Sequence, residues 1–310
     1  MKKPRLVCIG DLMLDVVVRS SASLEQGTDT PGLVRFRLGG SAGNTCRAFV
    51  ALGGRAAFVG AAGSDGLAPR LVAAHRAEGV EVHAVRVRGA TARLVALIAP
   101  DGERTFVTDR GVADALGPAA LKSSWFARAD ALHLPAYSLL TAPLSEACLR
   151  AVALVRARGG VVSVDLASRA PLLAAGADNG LRAVRAAAPD VLFANMDEVA
   201  ALVGRRGATR LLDIAPLVVV KLGAGGCRVL WRSAAGASRP VLQLEIATKP
   251  LAGVDTTGAG DAFDAGFLYQ LLVNDLNFAS VAPAVVRRAA LAGHRSAARL
   301  LTSPRPELAL

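Results

Sequence analysis

Apolar and polar positions follow two distinct rhythms along this chain. Short β-like runs at 6–9, 56–59, 80–87, 131–134, 161–165, 191–193 and 217–221, most of them nearly continuous in apolar residues, predict strands. Between and after them, apolar residues recur at helical spacing over 42–52, 67–78, 143–158, 181–187, 197–203, 259–272 and 283–301. Strand–helix alternation on this scale predicts an α/β fold, with a mostly parallel central sheet and helices on both faces. In such sheets ligands lie beyond the carboxyl ends of the strands.

Two regions break that rhythm. Residues 14–19 with 33–38, and 91–98 with 104–109, alternate with period two and have no helix between the members of each pair. The second pair is joined by Ala99-Pro100-Asp101-Gly102-Glu103, a good hairpin turn. These segments, within about 12–38 and 91–110, predict either a small antiparallel sheet standing off the main body as a lid, or extra strands on the main sheet. No low-complexity linker or internal repeat interrupts the chain, so residues 1–310 predict one domain.

Composition narrows the classes. The chain is 53% hydrophobic, yet no apolar run reaches the roughly 18 residues of a membrane helix. The first run, 6–9, is too short for a signal-peptide core, which makes cytoplasmic location the expectation. Cys8, Cys46, Cys148 and Cys227 form no C-x-x-C pair, and His75, His83, His133 and His294 lack H-x-x-x-H spacing. Neither a structural zinc site nor a disulfide framework is indicated. The formal charge is +11, carried by dispersed arginines, with lysine only at 2, 3, 122, 221 and 249. With 4% aromatic residues and no basic tract, nucleic acid is not the expected partner.

The candidate chemistry concentrates in four places. Asp255-Thr256-Thr257-Gly258-Ala259-Gly260-Asp261 runs into a helical pattern, so its amides meet an anion-favouring helix N-terminus with a carboxylate in the first turn. A phosphate cradle with a base beside it, and an ordinary glycine-rich cap, both satisfy that pattern. Gly10-Asp11-Leu12-Met13-Leu14-Asp15 ends the first strand with two carboxylates that suit a polyol or cap a turn. Leu38-Gly39-Gly40-Ser41-Ala42-Gly43-Asn44 opens a helix with a flexible backbone and an amide that both donates and accepts. Asn195-Met196-Asp197-Glu198 offers groups for a hydrated Mg²⁺ or a capping box, and Lys221-Leu222-Gly223-Ala224-Gly225-Gly226 offers a glycine loop on which a nucleotide can lie. No G-x-x-x-x-G-K-[ST] occurs and no G-x-G-x-x-G follows a strand.

In order and spacing these segments resemble the ribokinase-like (PfkB) carbohydrate kinases, over about residues 5–302. The 255–261 stretch is similar to that family's C-terminal signature. Residues 38–44 through Gly53 are similar to its N-terminal signature, continued by Val59-Gly60-Ala61-Ala62-Gly63-Ser64-Asp65. The resemblance implies a three-layer α/β/α fold with a β-sheet lid, and ATP- and Mg²⁺-dependent phosphorylation of a sugar, sugar derivative or nucleoside. It implies Asp261 as the base, and Gly258, Ala259 and Gly260 as the anion hole. It implies Asp11, Asp15, Gly39, Gly40, Asn44, Tyr137 and Arg169 around the acceptor. Asn195, Lys221, Gly223, Gly225, Gly226 and His294 would face ATP, with Glu198 acting on Mg²⁺ indirectly. In members with a monovalent-cation site, oxygens near Asp255 and Thr257 would hold K⁺, and a homodimer can form through the lid. The chain departs from the family pattern in several places. Ser41 stands where ribokinases usually carry lysine, and Ala167 replaces Asn in Asp165-Leu166-Ala167-Ser168-Arg169. Leu134-Pro135-Ala136-Tyr137 lacks the carboxylate that ribokinases present nearby, and after His294 the chain runs Thr302-Ser303-Pro304-Arg305-Pro306 without the usual glycine turn. These departures bear on the acceptor; the alternatives are a nucleoside kinase of the same family or a catalytically silent regulatory member.

Overall fold

Strand β1 (Arg5–Ile9) sits inside the main sheet because its neighbouring residues serve two cores at once. Val7 and Ile9 pack into one hydrophobic cluster, Leu6 and Cys8 into the other, and all four are fully buried. The same division runs through β10 (Val191–Asn195) and β11 (Leu217–Lys221), which explains their unbroken apolar runs. A computed structural model describes residues 3–101, 103–174, 176–232, 240–251, 255–274, 278 and 281–309. Gly102 of the expected hairpin turn lies outside the described residues.

The remaining strands of the main sheet are β4 (Arg55–Ala62), β5 (Glu81–Arg86), β8 (Ala131–Pro135), β9 (Val161–Asp165), β12 (Cys227–Arg232) and β13 (Val241–Ile246). Among the described residues the order is β13-β12-β11-β10-β9-β8-β1-β4-β5, parallel from β11 through β5, with β12 and β13 added by antiparallel pairing. Strand order reverses about β1: the chain adds β4 and β5 on one side, then β8 to β11 on the other. The crevice beyond β1 and β8 is therefore the topological switch point, where α/β sheets bind ligands.

Helices cover both faces. On one lie α1 (Ser41–Ala51), α2 (Leu67–Ala77), α7 (Ala259–Leu272) and α8 (Pro283–Thr302), packed through Phe49, Leu71, Phe267 and Val286. On the other lie α3 (Leu144–Arg156), α4 (Arg169–Ala174), α5 (Ala177–Ala186) and α6 (Met196–Val203). Helix α7 is buried around most of its circumference, including Ala262 through Leu268, rather than along one broad stripe. It lies so close to α8 that only glycine fits at two contacts. A Cβ at Gly266 would sit 2.6 Å from the Ala292 carbonyl oxygen, and one at Gly293 would sit 2.8 Å from the Phe263 ring.

A separate four-stranded sheet has the order β3-β2-β6-β7, from β2 (Met13–Ser20), β3 (Gly32–Gly39), β6 (Ala92–Ile98) and β7 (Arg104–Asp109). The lid alternative is thus the observed one, but the sheet is mixed rather than antiparallel. Its two outer pairs are antiparallel, whereas β2 and β6 pair parallel. The reason is topological: β2 and β6 are separated in sequence by α1, β4, α2 and β5, a crossover long enough to bring them together in the same direction. The strands β12 and β13 and the helix α4 are additions to the elements expected from apolar periodicity.

Gly266→Ala is expected to destabilise the protein by about 1–3 kcal/mol in urea unfolding, because a backbone carbonyl cannot swing away from the added methyl. An unchanged midpoint would show that α7 and α8 can separate without loss.

Candidate active site

Two helix N-termini meet at the carboxyl edge of the main sheet. Gly258 caps α7 in the left-handed conformation at φ 75°, which glycine adopts without strain, and no side chain caps the helix. Ala262 N–H donates to the Gly258 carbonyl at 3.0 Å, and Ala259 N–H donates to Thr256 at 3.1 Å. One turn into the helix, Asp261 accepts from the Ser41 hydroxyl at 2.6 Å and from the Asn44 amide at 2.8 Å. Both donors stand on α1. Asn44 is oriented in turn by Arg47, whose guanidinium donates to its side-chain oxygen at 2.9 Å. Burial raises the Asp261 pKa above the usual carboxylate value, against the opposing pull of the Ser41 and Asn44 hydrogen bonds.

Glycine at 39 and 40 makes room for the neighbouring carboxylate. A Cβ at Gly39 would overlap the Asp15 carboxyl group, and Gly40, at φ 85°, would press one onto the Asp11 carbonyl. Asp15 is buried, and its Oδ1 is without a hydrogen-bond partner. Burial, then the charge of Asp261, raises its pKa to about 7. A cavity of about 240 Å³ opens here, lined by Asp15, Asn44, Thr257, Gly258, Arg37 and Arg305 among others. An unpartnered carboxylate oxygen beside such a cavity is what a hydroxyl-bearing ligand would satisfy.

Asp11 stands next to this group but is committed to an internal partner. Both its oxygens accept from Arg110 at 3.0 Å, and Arg110 also pairs with Asp114 and lies 5.0 Å over the Tyr137 ring. Tyr137 thus joins the same cluster. Arg169, at the start of α4, is solvent-exposed.

At the ends of β9, β10 and β11 a second electrostatic group forms. Lys221 Nζ donates to Asp165 at 3.0 Å and to both oxygens of Asp264 at 3.1 and 3.2 Å. All three side chains are buried or nearly so, and the carboxylates raise the lysine pKa despite desolvation. The ammonium lies beneath the first turn of α7, 3.3 Å from where a Cβ at Gly260 would be. Lys221 therefore points inward, while Gly223 and Gly225 of the loop that follows it are exposed. Gly223 and Gly226 have φ values of 57° and 96°, and a Cβ at Gly226 would overlap the Ile246 carbonyl oxygen. His294 on α8 reaches the same carbonyl at 3.3 Å, so the loop that also contains Gly225 and the histidine share one neighbourhood. Asn195 and Glu198 form a reciprocal capping box: Glu198 N–H donates to Asn195 at 2.9 Å, and Asn195 N–H donates back at 2.8 Å. Burial, with Asp165 nearby, raises the Glu198 pKa to about 7. Among the described residues no group of three acidic, histidine or cysteine side chains is placed to hold a metal ion directly.

Asp255 accepts from the Thr257 amide at 3.0 Å and hydroxyl at 2.7 Å, and from Arg37 at 2.7 Å. Most sequence-derived candidates are thus gathered into three adjoining clusters; Arg169 stands apart from them in solvent, and Gly223 and Gly225 are exposed at the loop. The partners Ser41, Asp165, Asp264, Arg37, Arg110 and Arg305 were not among the expected site residues. Asp264 carried a legible signal, since a lone carboxylate in an apolar helical stretch needs a buried partner.

The chain belongs to the pfkB family of carbohydrate kinases, whose sequence model matches residues 3–306. It is an ATP-dependent carbohydrate kinase with the ribokinase-like fold. It is 30% identical over 286 residues to fructokinase-2 from Solanum habrochaites, covering 87% of this chain and 82% of that protein. It is similar to the crystal structure of adenosine kinase from Sinorhizobium meliloti, at 25% identity and TM-score 0.79, with 98% and 96% of the two chains covered. A double-mutant fructokinase from Vibrio cholerae O395, in a fructose, ADP and potassium ion bound form, shares the fold at 24% identity and TM-score 0.74, with 97% and 93% covered. No helix among the described residues is long and apolar enough to cross a membrane.

Lys221→Met should destabilise the protein by about 3–5 kcal/mol, because Asp165 and Asp264 would stay buried without their cation. Denaturant unfolding measures this directly. A change under about 1 kcal/mol, the scale of an exposed ion pair, would mean that water reaches the pair freely.

Proposed function

We propose that this kinase transfers the terminal phosphate of ATP to a hydroxyl of a monosaccharide-sized sugar, with Asp261 taking the hydroxyl proton. The observation that carries this reading is the position of Asp261. Two donors from α1 hold its carboxylate at the N-terminus of α7, and one of them, Asn44, lines the cavity together with Asp15 and Gly258. Each oxygen has one hydrogen bond from the protein, which leaves acceptor capacity for a hydroxyl proton. Burial makes the carboxylate more basic than an exposed one, as a general base requires.

Asp15 and Asn44 would hold other hydroxyls of the acceptor, and Gly39 and Gly40 would let it approach the backbone. The Gly258 and Gly260 amides, at the positive end of α7, suit the charge on the transferring phosphate; the Ala259 amide already donates to Thr256. Gly223, Gly225, Gly226 and His294 would line the nucleotide's place around Ile246. Lys221 acts as a positioning residue by tying α7 to β9 and β11, rather than as a phosphate ligand. Asn195 and Glu198 fit the water shell of Mg²⁺ better than its direct coordination, because they already bond each other. When bound, Mg²⁺ would neutralise phosphate charge. Asp11, held by Arg110, shapes the floor near Tyr137 and would contact the acceptor only by sharing that ion pair.

Fructose is the first acceptor to assay, given the 30% identity with a fructokinase. A nucleoside acceptor is the second reading, favoured by the likeness to an adenosine kinase over 98% of this chain. ADP release measured across sugars, sugar acids and nucleosides separates them. With the accepted substrate, Asp261→Asn should lower kcat by about 10²–10⁴-fold. The wild-type kcat/KM should fall on the acid side, at a pH above the ordinary carboxylate range, because the base must be ionised and its pKa is raised. Wild-type turnover by Asp261→Asn, or a rate flat down to pH 4, would remove Asp261 from the role.

A further inference from the structure

The loop entering α7 is held by cations that belong to the protein. Asp255 Oδ2 accepts from Arg37 on β3 at 2.7 Å and from Arg305 at 3.4 Å. The second guanidinium nitrogen of Arg305 donates to the Asp255 backbone carbonyl at 2.5 Å, so one side chain grips both the carboxylate and the carbonyl. Asp255 Oδ1 is taken by the Thr257 amide and hydroxyl, and that hydroxyl also accepts from Arg104 on β7 at 3.4 Å. Burial alone would raise the Asp255 pKa, but the Thr257 hydrogen bonds, then Arg305 and Arg37, hold it down at about 2. Asp255 and Arg305 are both largely withdrawn from solvent, at 14% and 15% side-chain exposure. Arg305 lies between Pro304 and Pro306, whose rings restrict the backbone on either side.

These are the oxygens that the family resemblance offers to K⁺, and they do not fit it here. The carbonyl, both carboxylate oxygens and the hydroxyl already have donors, and an added cation would face Arg37, Arg104 and Arg305 at close range. We infer that Arg305 is a built-in cation. Its guanidinium supplies the positive charge and the fixed geometry beneath the Thr257–Gly258 turn, and the kinase needs no monovalent ion. A planar, permanently charged group with divergent donors can hold a carbonyl and a carboxylate together, as a bound ion would. Because Gly258 follows Asp255 by three residues, Arg305 acts on the anion hole by position and does not touch the reacting atoms. The inference rests on the kinase reading above only for its catalytic consequence.

The test compares KCl with tetramethylammonium chloride at equal ionic strength, in a turnover assay and in thermal melting. The wild type should show the same kcat and the same melting temperature in both salts. Arg305→Gln should lose about tenfold or more of kcat in tetramethylammonium and recover on adding KCl. Its melting temperature should then rise with KCl, whereas Arg305→Lys, which keeps the charge, should stay indifferent to the salt. A wild-type rate that climbs severalfold in KCl would overturn the inference, as would an Arg305→Gln enzyme with full kcat in tetramethylammonium. If Arg305→Gln fails to fold, the wild type and Arg305→Lys still decide. If the wild type turns over no acceptor, the kinase reading fails separately, and wild-type melting unmoved by KCl still supports the built-in cation while a rise overturns it.

Discussion

Asp261 joins the two helices on which this site depends. A carboxylate at that depth is unfavourable unless donors compensate it, and α1 provides two, Ser41 and Asn44. The start of α1 is therefore fixed relative to the start of α7, and the glycines that precede each helix are fixed with them. From the other side, Lys221 ties α7 to β9 and β11 through Asp264 and Asp165. The first turn of α7 is thus pinned from above and below, which preorganises amides and base before any substrate arrives.

The charge of the chain takes on a different meaning in this light. A net charge of +11, taken alone, suits an acidic macromolecular partner. Several arginines instead serve the interior: Arg5 pairs with Glu81, Arg37 and Arg305 with Asp255, Arg110 with Asp11 and Asp114, and Arg156 with Asp190. Three of these arginines, Arg37, Arg110 and Arg305, stand beside the cavity or the switch-point crevice. Guanidinium groups with several fixed donors hold loops and the lid against the main sheet, which ammonium groups do less well.

How much of this was legible in the sequence follows from the range of each interaction. Strands such as β1, β10 and β11 announced themselves because burial on both faces leaves continuous apolar runs. The two glycine signatures and Asp261 were legible because a helix start needs its residues within a few positions. Strands β12 and β13 carry weaker signals: β13 alternates between exposed and half-buried positions, and β12 follows directly on a glycine loop. The parallel pairing of β2 with β6 is set by a crossover, which no local pattern records. Arg305 finds Asp255 across 50 residues, and Ser41 finds Asp261 across 220, so neither pairing has a local signal. The glycines after Lys221 point to a nucleotide loop, yet its own side chain turns into the core toward Asp264.

The hydrogen bond from Ser41 to Asp261 is the contact that most directly tests this arrangement, because it sets the basicity of the proposed base. The measurement is the acid limb of kcat/KM against pH for the wild type and for Ser41→Ala, on whichever acceptor the wild type uses. A hydroxyl that stabilises the ionised carboxylate keeps its pKa lower than burial alone would, so its removal should move the acid midpoint upward by about one pH unit. An acid limb that stays in place, with kcat unchanged, would contradict the account.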